Sequence, residues 1–134
     1  MKRVLILDDE PDIVNVITMI LEDEGYHVNG IGTGADLFTK VDSFKPDLII
    51  LDVMLGLYDG RTLCIELKAT DLTKHIPVLM ISASHDLLSM GDTNFQPNDF
   101  LSKPFDIDEL AFKVKTQLYP QISTVINSLP AIQL

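Results

Sequence analysis

The chain has 134 residues, 46% hydrophobic and 22% charged, which suits one globular domain with a real core and excludes a disordered segment. Its 20 acidic and 10 basic residues leave a net charge of −10, which argues against nonspecific binding to nucleic acid or an anionic membrane. The single cysteine, Cys64, excludes an intramolecular disulfide and a cysteine-built metal site, and no apolar run is long enough to span a bilayer.

In chain order, Val4 to Leu7 is a continuous apolar run, as expected of a strand buried on both faces. Asp8-Asp9-Glu10 ends it too early for a secretory leader, so a cytoplasmic location is the expectation. Ile13, Val16, Ile17, Ile20 and Leu21 follow helical spacing, with Pro11 in the first turn and Gly25 closing the helix. Tyr26 to Gly30 reads as a weaker strand. Leu37, Phe38, Val41 and Phe44 make a second helix that stops before Pro46. Leu48 to Leu51 is a second buried strand, ending at Asp52. Asp59 is an N-cap for a third helix reaching about Ala69. Val78 to Ile81 is another buried strand, ending at Ser82.

From Ser84 to Asn98 the chain holds Gly91, Thr93, Asn94 and Pro97 and few strong helix formers, so a helix there is expected to be short or loosely held. Asp99 to Ser102 is a weaker fifth strand, and Ile107, Leu110, Ala111, Val114 and Leu118 mark the last helix. Strands alternating with helices predict a three-layer, doubly wound α/β domain with a five-stranded parallel sheet. That domain is expected to span residues 1–119. Residues 120–134 form an uncharged tail in which Ile122, Val125, Ile126 and Leu129 keep helical spacing, consistent with a short extra helix or a frayed end.

In such a sheet, sites form outside the carboxyl ends of the strands. There the sequence places Asp8 and Asp9, Asp52, Ser82 and Lys103. Clustered carboxylates repel one another and call for a cation. Oxygen-only ligands select a hard ion, and Mg²⁺ commonly joins one or two carboxylates to phosphate oxygens. Asp52 can then serve as a nucleophile that forms an acyl phosphate, with Ser82 as hydrogen-bond donor and Lys103 offsetting charge.

The stretches Val4-Leu5-Ile6-Leu7-Asp8-Asp9-Glu10, Leu51-Asp52-Val53-Met54-Leu55 with Asp59-Gly60, Ser82-Ala83, and Asp99-Phe100-Leu101-Ser102-Lys103-Pro104-Phe105 resemble the response-regulator receiver (CheY-like) family, in order over roughly residues 3 to 118. The resemblance implies a flavodoxin-like fold with strand order 2-1-3-4-5. It implies that Asp52 is the phosphoacceptor, that Asp9 binds Mg²⁺ directly and Asp8 often through water, and that the Met54 carbonyl is a further ligand. It also implies a switch in which the Ser82 hydroxyl moves to the phosphoryl group and Phe100 turns inward, with Lys103 pairing to the phosphoryl group. Ser84 and Met54 stand where phosphoryl lifetime is tuned, and the Lys103-Pro104 bond is often cis in the family.

By the same resemblance the phosphodonor is a histidine kinase or a phosphotransfer protein. The protein is then a single-domain response regulator, monomeric or weakly dimeric. It signals through an unidentified protein target and promotes only its own phosphorylation and dephosphorylation. Gly56, where the family often has proline, and Gln96-Pro97-Asn98, where it usually has Gly-Ala, depart from the pattern.

Other readings compete. Gly30-Ile31-Gly32-Thr33-Gly34-Ala35 fits a relaxed dinucleotide fingerprint, with Asp52 about twenty residues on. That reading leaves Asp8, Asp9 and Lys103 unexplained. An aspartyl-phosphate hydrolase would need a general acid where Met54 stands. A receiver-like scaffold that is never phosphorylated would not need the full set of acids, hydroxyl and lysine.

Overall fold

The computed structural model describes residues 1–83 and 97–121. The helix expected between Ser84 and Asn98, the position of Ser84 and the apolar spacing from Ile122 to Leu129 lie outside the described residues.

Five strands form one parallel sheet: β1 (Arg3–Leu7), β2 (His27–Ile31), β3 (Leu48–Asp52), β4 (Val78–Ser82) and β5 (Asp99–Ser102), in the order β2-β1-β3-β4-β5. Four α-helices accompany them among the described residues: α1 (Pro11–Asp23), α2 (Leu37–Phe44), α3 (Gly60–Ala69) and α4 (Ile107–Leu118). The alternating pattern predicts the three-layer parallel architecture, and the strand order is the flavodoxin-like one that the family resemblance implies. The order reverses between β1 and β3, whose carboxyl ends carry Asp8 and Asp52.

Side-chain alternation along the strands divides the core in two. Leu5, Leu7, Ile49, Leu51 and Met80 pack with Leu37, Val41, Leu63 and Leu67 from α2 and α3. Val4, Ile6, Leu48, Ile50 and Ile81 pack with Ile17 and Leu21 from α1 and Leu110, Val114 and Leu118 from α4. Because both faces are covered, all five residues of β3 and of β4 are buried, and continuous apolar runs are what such strands need. Each large side chain buried this way contributes about 1.5–3 kcal/mol.

Helix ends follow the sequence closely. Pro11 opens α1 where its missing N–H costs nothing. Only Ile17 and Leu21 are buried on that helix, while Val16 is 45% exposed, so the apolar spacing overstates the width of the inward face. The chain leaves α2 through Lys45 in the left-handed region, φ 55°, immediately before Pro46. The Asp59 carboxylate accepts the Arg61 N–H at 2.9 Å and caps α3, as its position predicts.

One element was not legible beforehand. Met54–Leu55 and Tyr58–Asp59 pair antiparallel around Gly56 and Leu57, with Gly56 at φ 65°. Farther from the strand ends that carry the acids, the Lys68 ammonium donates to the Ile76 carbonyl at 2.8 Å and to Asn98 Oδ1 at 2.7 Å. Asn98 Oδ1 also accepts the Val78 N–H at 2.9 Å, so one amide joins α3 to the starts of β4 and β5.

Candidate functional site

The strands deliver the predicted residues to one rim. Asp8 follows the last residue of β1 and is 1% exposed, and Asp52 ends β3 and is 2% exposed. Asp9 and Glu10 are exposed on the loop between β1 and α1. One oxygen from each of these four carboxylates falls within a group 4.8 Å across. Glu10 is the member that sequence reasoning passed over, although it stood beside Asp9 in the same acidic run. Its place became apparent only once the loop brought its carboxylate back over the site.

Lys103, just past β5, holds the acids together. Its Nζ donates to Asp8 Oδ2 at 2.9 Å and to Asp52 Oδ2 at 3.2 Å, and lies 3.7 Å from Glu10 Oε1. The ammonium side chain is 11% exposed. The peptide bond from Lys103 to Pro104 is cis. Backbone donors fix the other carboxylate oxygens: the Glu10 N–H reaches Asp8 Oδ1 at 2.9 Å, and the Met54 N–H reaches Asp52 Oδ1 at 3.2 Å.

Burial and the nearby Asp8 charge push the Asp52 carboxyl up from 3.8 to about 6, against the Met54 N–H and Lys103, which pull it down. Burial works against the Lys103 charge. The hydrogen bond to Asp8 and the Asp52 and Asp8 charges outweigh it and hold the ammonium above its ordinary value. Buried acids around a single lysine thus retain an electrostatic demand for further positive charge. The donor set is all oxygen, which fits a hard divalent cation such as Mg²⁺.

Ser82 ends β4, fully buried, and its carbonyl accepts the Lys103 N–H at 2.8 Å. Phe100 lies within β5 rather than in the acid cluster, half-buried against the α2 and α3 side of the core. Met54 turns its side chain outward, 63% exposed, while its N–H serves Asp52. The glycine-rich turn has a packing explanation: a Cβ on Gly30 would collide with the Val14 side chain, so that glycine lets α1 lie close against β2. No helix among the described residues is long and apolar enough to cross a membrane.

A doubly wound sheet with acids and a lysine gathered at its switch point defines an α/β protein whose acidic pocket could hold a hard cation. The chain matches the model of the response regulator receiver domain over residues 4–115 and belongs to that family, the receivers of two-component signalling. It is therefore a regulatory module rather than a classical enzyme.

Among curated proteins it is 37% identical over 121 residues to the DNA-binding dual master transcriptional regulator RpaA of Synechocystis sp., covering 88% of this chain and 49% of that one. It is 35% identical over 118 residues to the alkaline phosphatase synthesis transcriptional regulatory protein PhoP of Bacillus subtilis, covering 87% and 48%. Among solved structures, a putative response regulator from Chloroflexus aurantiacus superposes with a TM-score of 0.82 at 33% identity, covering 87% of this chain and 97% of that one. A CheY-like receiver domain protein from Methanospirillum hungatei gives 0.82 at 26% identity, covering 92% and 98%.

The chain spans about half the length of the curated relatives it matches. RpaA is by name DNA-binding, so the expectation that nucleic acid plays no part, drawn from net charge, finds no support among these relatives.

Proposed function

We propose that Asp52 accepts a phosphoryl group from a histidine kinase or a histidine-bearing phosphotransfer protein, in a Mg²⁺-dependent reaction within a receiver domain spanning residues 1–119. The observation that carries this reading is the Lys103 ammonium seated between Asp8 at 2.9 Å and Asp52 at 3.2 Å, inside a four-carboxylate group that still lacks positive charge.

An Asp52 oxygen attacks phosphorus as the bond to the donor imidazole breaks and its electron pair leaves with that nitrogen. Ionised Asp52 is the reactive form, and Lys103 favours it by hydrogen bonding to one oxygen while the Met54 N–H orients the other. Mg²⁺, when bound by Asp8, Asp9, Asp52 and the Met54 carbonyl, supplies positive charge to the phosphoryl oxygens. Lys103 then moves its hydrogen bond from Asp52 to the phosphoryl group, Ser82 donates its hydroxyl there, and Phe100 turns inward with it. The β4–β5 side thereby presents a changed face to a downstream protein.

Incubation with a small-molecule phosphodonor and Mg²⁺, followed by intact-mass measurement, tests this. One added phosphoryl group is expected, absent in EDTA and absent in Asp52→Asn. An unchanged wild-type mass, or equal labelling of the variant, overturns it.

A further inference from the structure

α3 begins directly beneath Asp52. Gly60, its first residue, donates its N–H to the Val53 carbonyl at 2.8 Å. A Cβ built on Gly60 would collide with the Asp52 carbonyl oxygen and lie 2.9 Å from both the Asp52 carbonyl carbon and Val53 Cα. The glycines at 30 and 34 also have close neighbours, but those are the side chains of Val14, Tyr58 and Leu63, which can rotate away. Among the described glycines, only Gly60 is pressed against backbone, and that backbone belongs to Asp52 and the residue after it.

We propose that Gly60 is a positioning residue for Asp52, its missing side chain letting the start of α3 seat against the Asp52 carbonyl and so fix where the Asp52 carboxylate stands. The seat is clamped from both sides. Asp59 caps the helix by accepting the Arg61 N–H at 2.9 Å, and the short strand pair joins Met54 to Asp59 across the loop. Met54 in turn gives its N–H to Asp52 Oδ1 at 3.2 Å, so the helix start, the hairpin and the carboxylate form one continuous backbone unit.

A methyl at residue 60 can be accommodated only by separating α3 from the end of β3. That carries Asp52 away from Asp8 and Lys103 or breaks its bond to Met54. Misplacement by about 1 Å in such a constellation costs up to ~100-fold in rate, and disturbing the residues that orient metal ligands costs ~10–100-fold in affinity.

The inference rests on the assignment of Asp52 as phosphoacceptor, and two readouts keep them separable. The first is Mg²⁺ affinity followed by backbone-amide NMR, which needs no phosphoryl transfer. The second is the rate of Asp52 phosphorylation by a small phosphodonor. Gly60→Ala is expected to move the Asp52 and Val53 amide resonances, weaken Mg²⁺ binding about 10-fold or more and slow phosphorylation at least as much.

Gly25→Ala is the control. Gly25 sits at φ 94° with nothing within 4 Å, so its substitution strains the fold beyond the end of α1 without touching the site. It should lower the melting temperature and leave Mg²⁺ affinity unchanged. If Gly60→Ala does not fold, Asp59→Ala loosens the same helix start without adding an atom, and a several-fold loss of Mg²⁺ affinity is expected there. Wild-type Mg²⁺ affinity in Gly60→Ala, or in Asp59→Ala where that variant stands in for it, overturns the proposal. Intact Mg²⁺ effects with no labelling of wild-type protein would instead overturn the phosphoacceptor assignment alone.

Discussion

Replacing Asp52 by asparagine isolates the cost of holding a charge in this pocket. The carboxyl titrates near 3.8 in an unfolded chain and at about 6 in the fold. Between those values the native state binds more protons than the unfolded state, so raising the pH through that window removes stability. The gap of about two units corresponds to ~3 kcal/mol, fully present below about pH 4 and fully lost above about pH 7. Asparagine has nearly the shape of the neutral acid and never ionises. In EDTA, Asp52→Asn should match wild type at pH 4 and exceed it by ~3 kcal/mol at pH 7, a melting shift on the order of 10 °C. Urea unfolding followed by circular dichroism at pH 4, 5, 6 and 7 measures the difference directly. An offset that does not change with pH, or a variant less stable than wild type at pH 7, would refute the reasoning.

Other expectations follow from the same geometry. Lys103→Ala leaves Asp8 and Asp52 without their shared cation and should cost ~3–5 kcal/mol at pH 7, less at pH 5, as read by urea denaturation at both values. Mg²⁺ at 100 times its dissociation constant should stabilise wild type by ~2.7 kcal/mol, reversed by EDTA and diminished in Asp9→Asn, as a thermal titration would show. Asn98→Ala removes the acceptor shared by Lys68 and the Val78 N–H and should cost ~1–3 kcal/mol in chemical denaturation, without changing Mg²⁺ affinity.

The buried strands were legible because burial on both faces demands unbroken apolar runs, and Leu48 to Leu51 has one, whereas the sheet order came from the family resemblance. Asp8, Asp9, Asp52, Ser82 and Lys103 were legible because each ends or follows a strand, and parallel strands bring their carboxyl ends to one side. The hairpin from Met54 to Asp59 was not, since two-residue strands are too short to show an alternating pattern. The inward face of α1 was narrower than its apolar spacing suggested, because period alone says which residues share a face and not what covers it. Glu10 was missed as a site member because a loop's return path is not encoded in spacing. The Gly60 contact was equally hidden: nothing in the letters Asp-Gly says whether the glycine serves a turn or makes room for another backbone.

The hydrogen bonds of Lys103 join residues 95 and 51 positions apart in the chain. They are therefore made only when β5 has docked onto a sheet that already holds β1 and β3. A chain with β5 still undocked presents its carboxylates to one another with no internal cation, and their repulsion opposes further compaction at that edge. Engagement of Lys103 with the acids, rather than the acid cluster itself, is thus a report on complete assembly. Any protein that reads this site reads, in the same act, whether the molecule has finished folding.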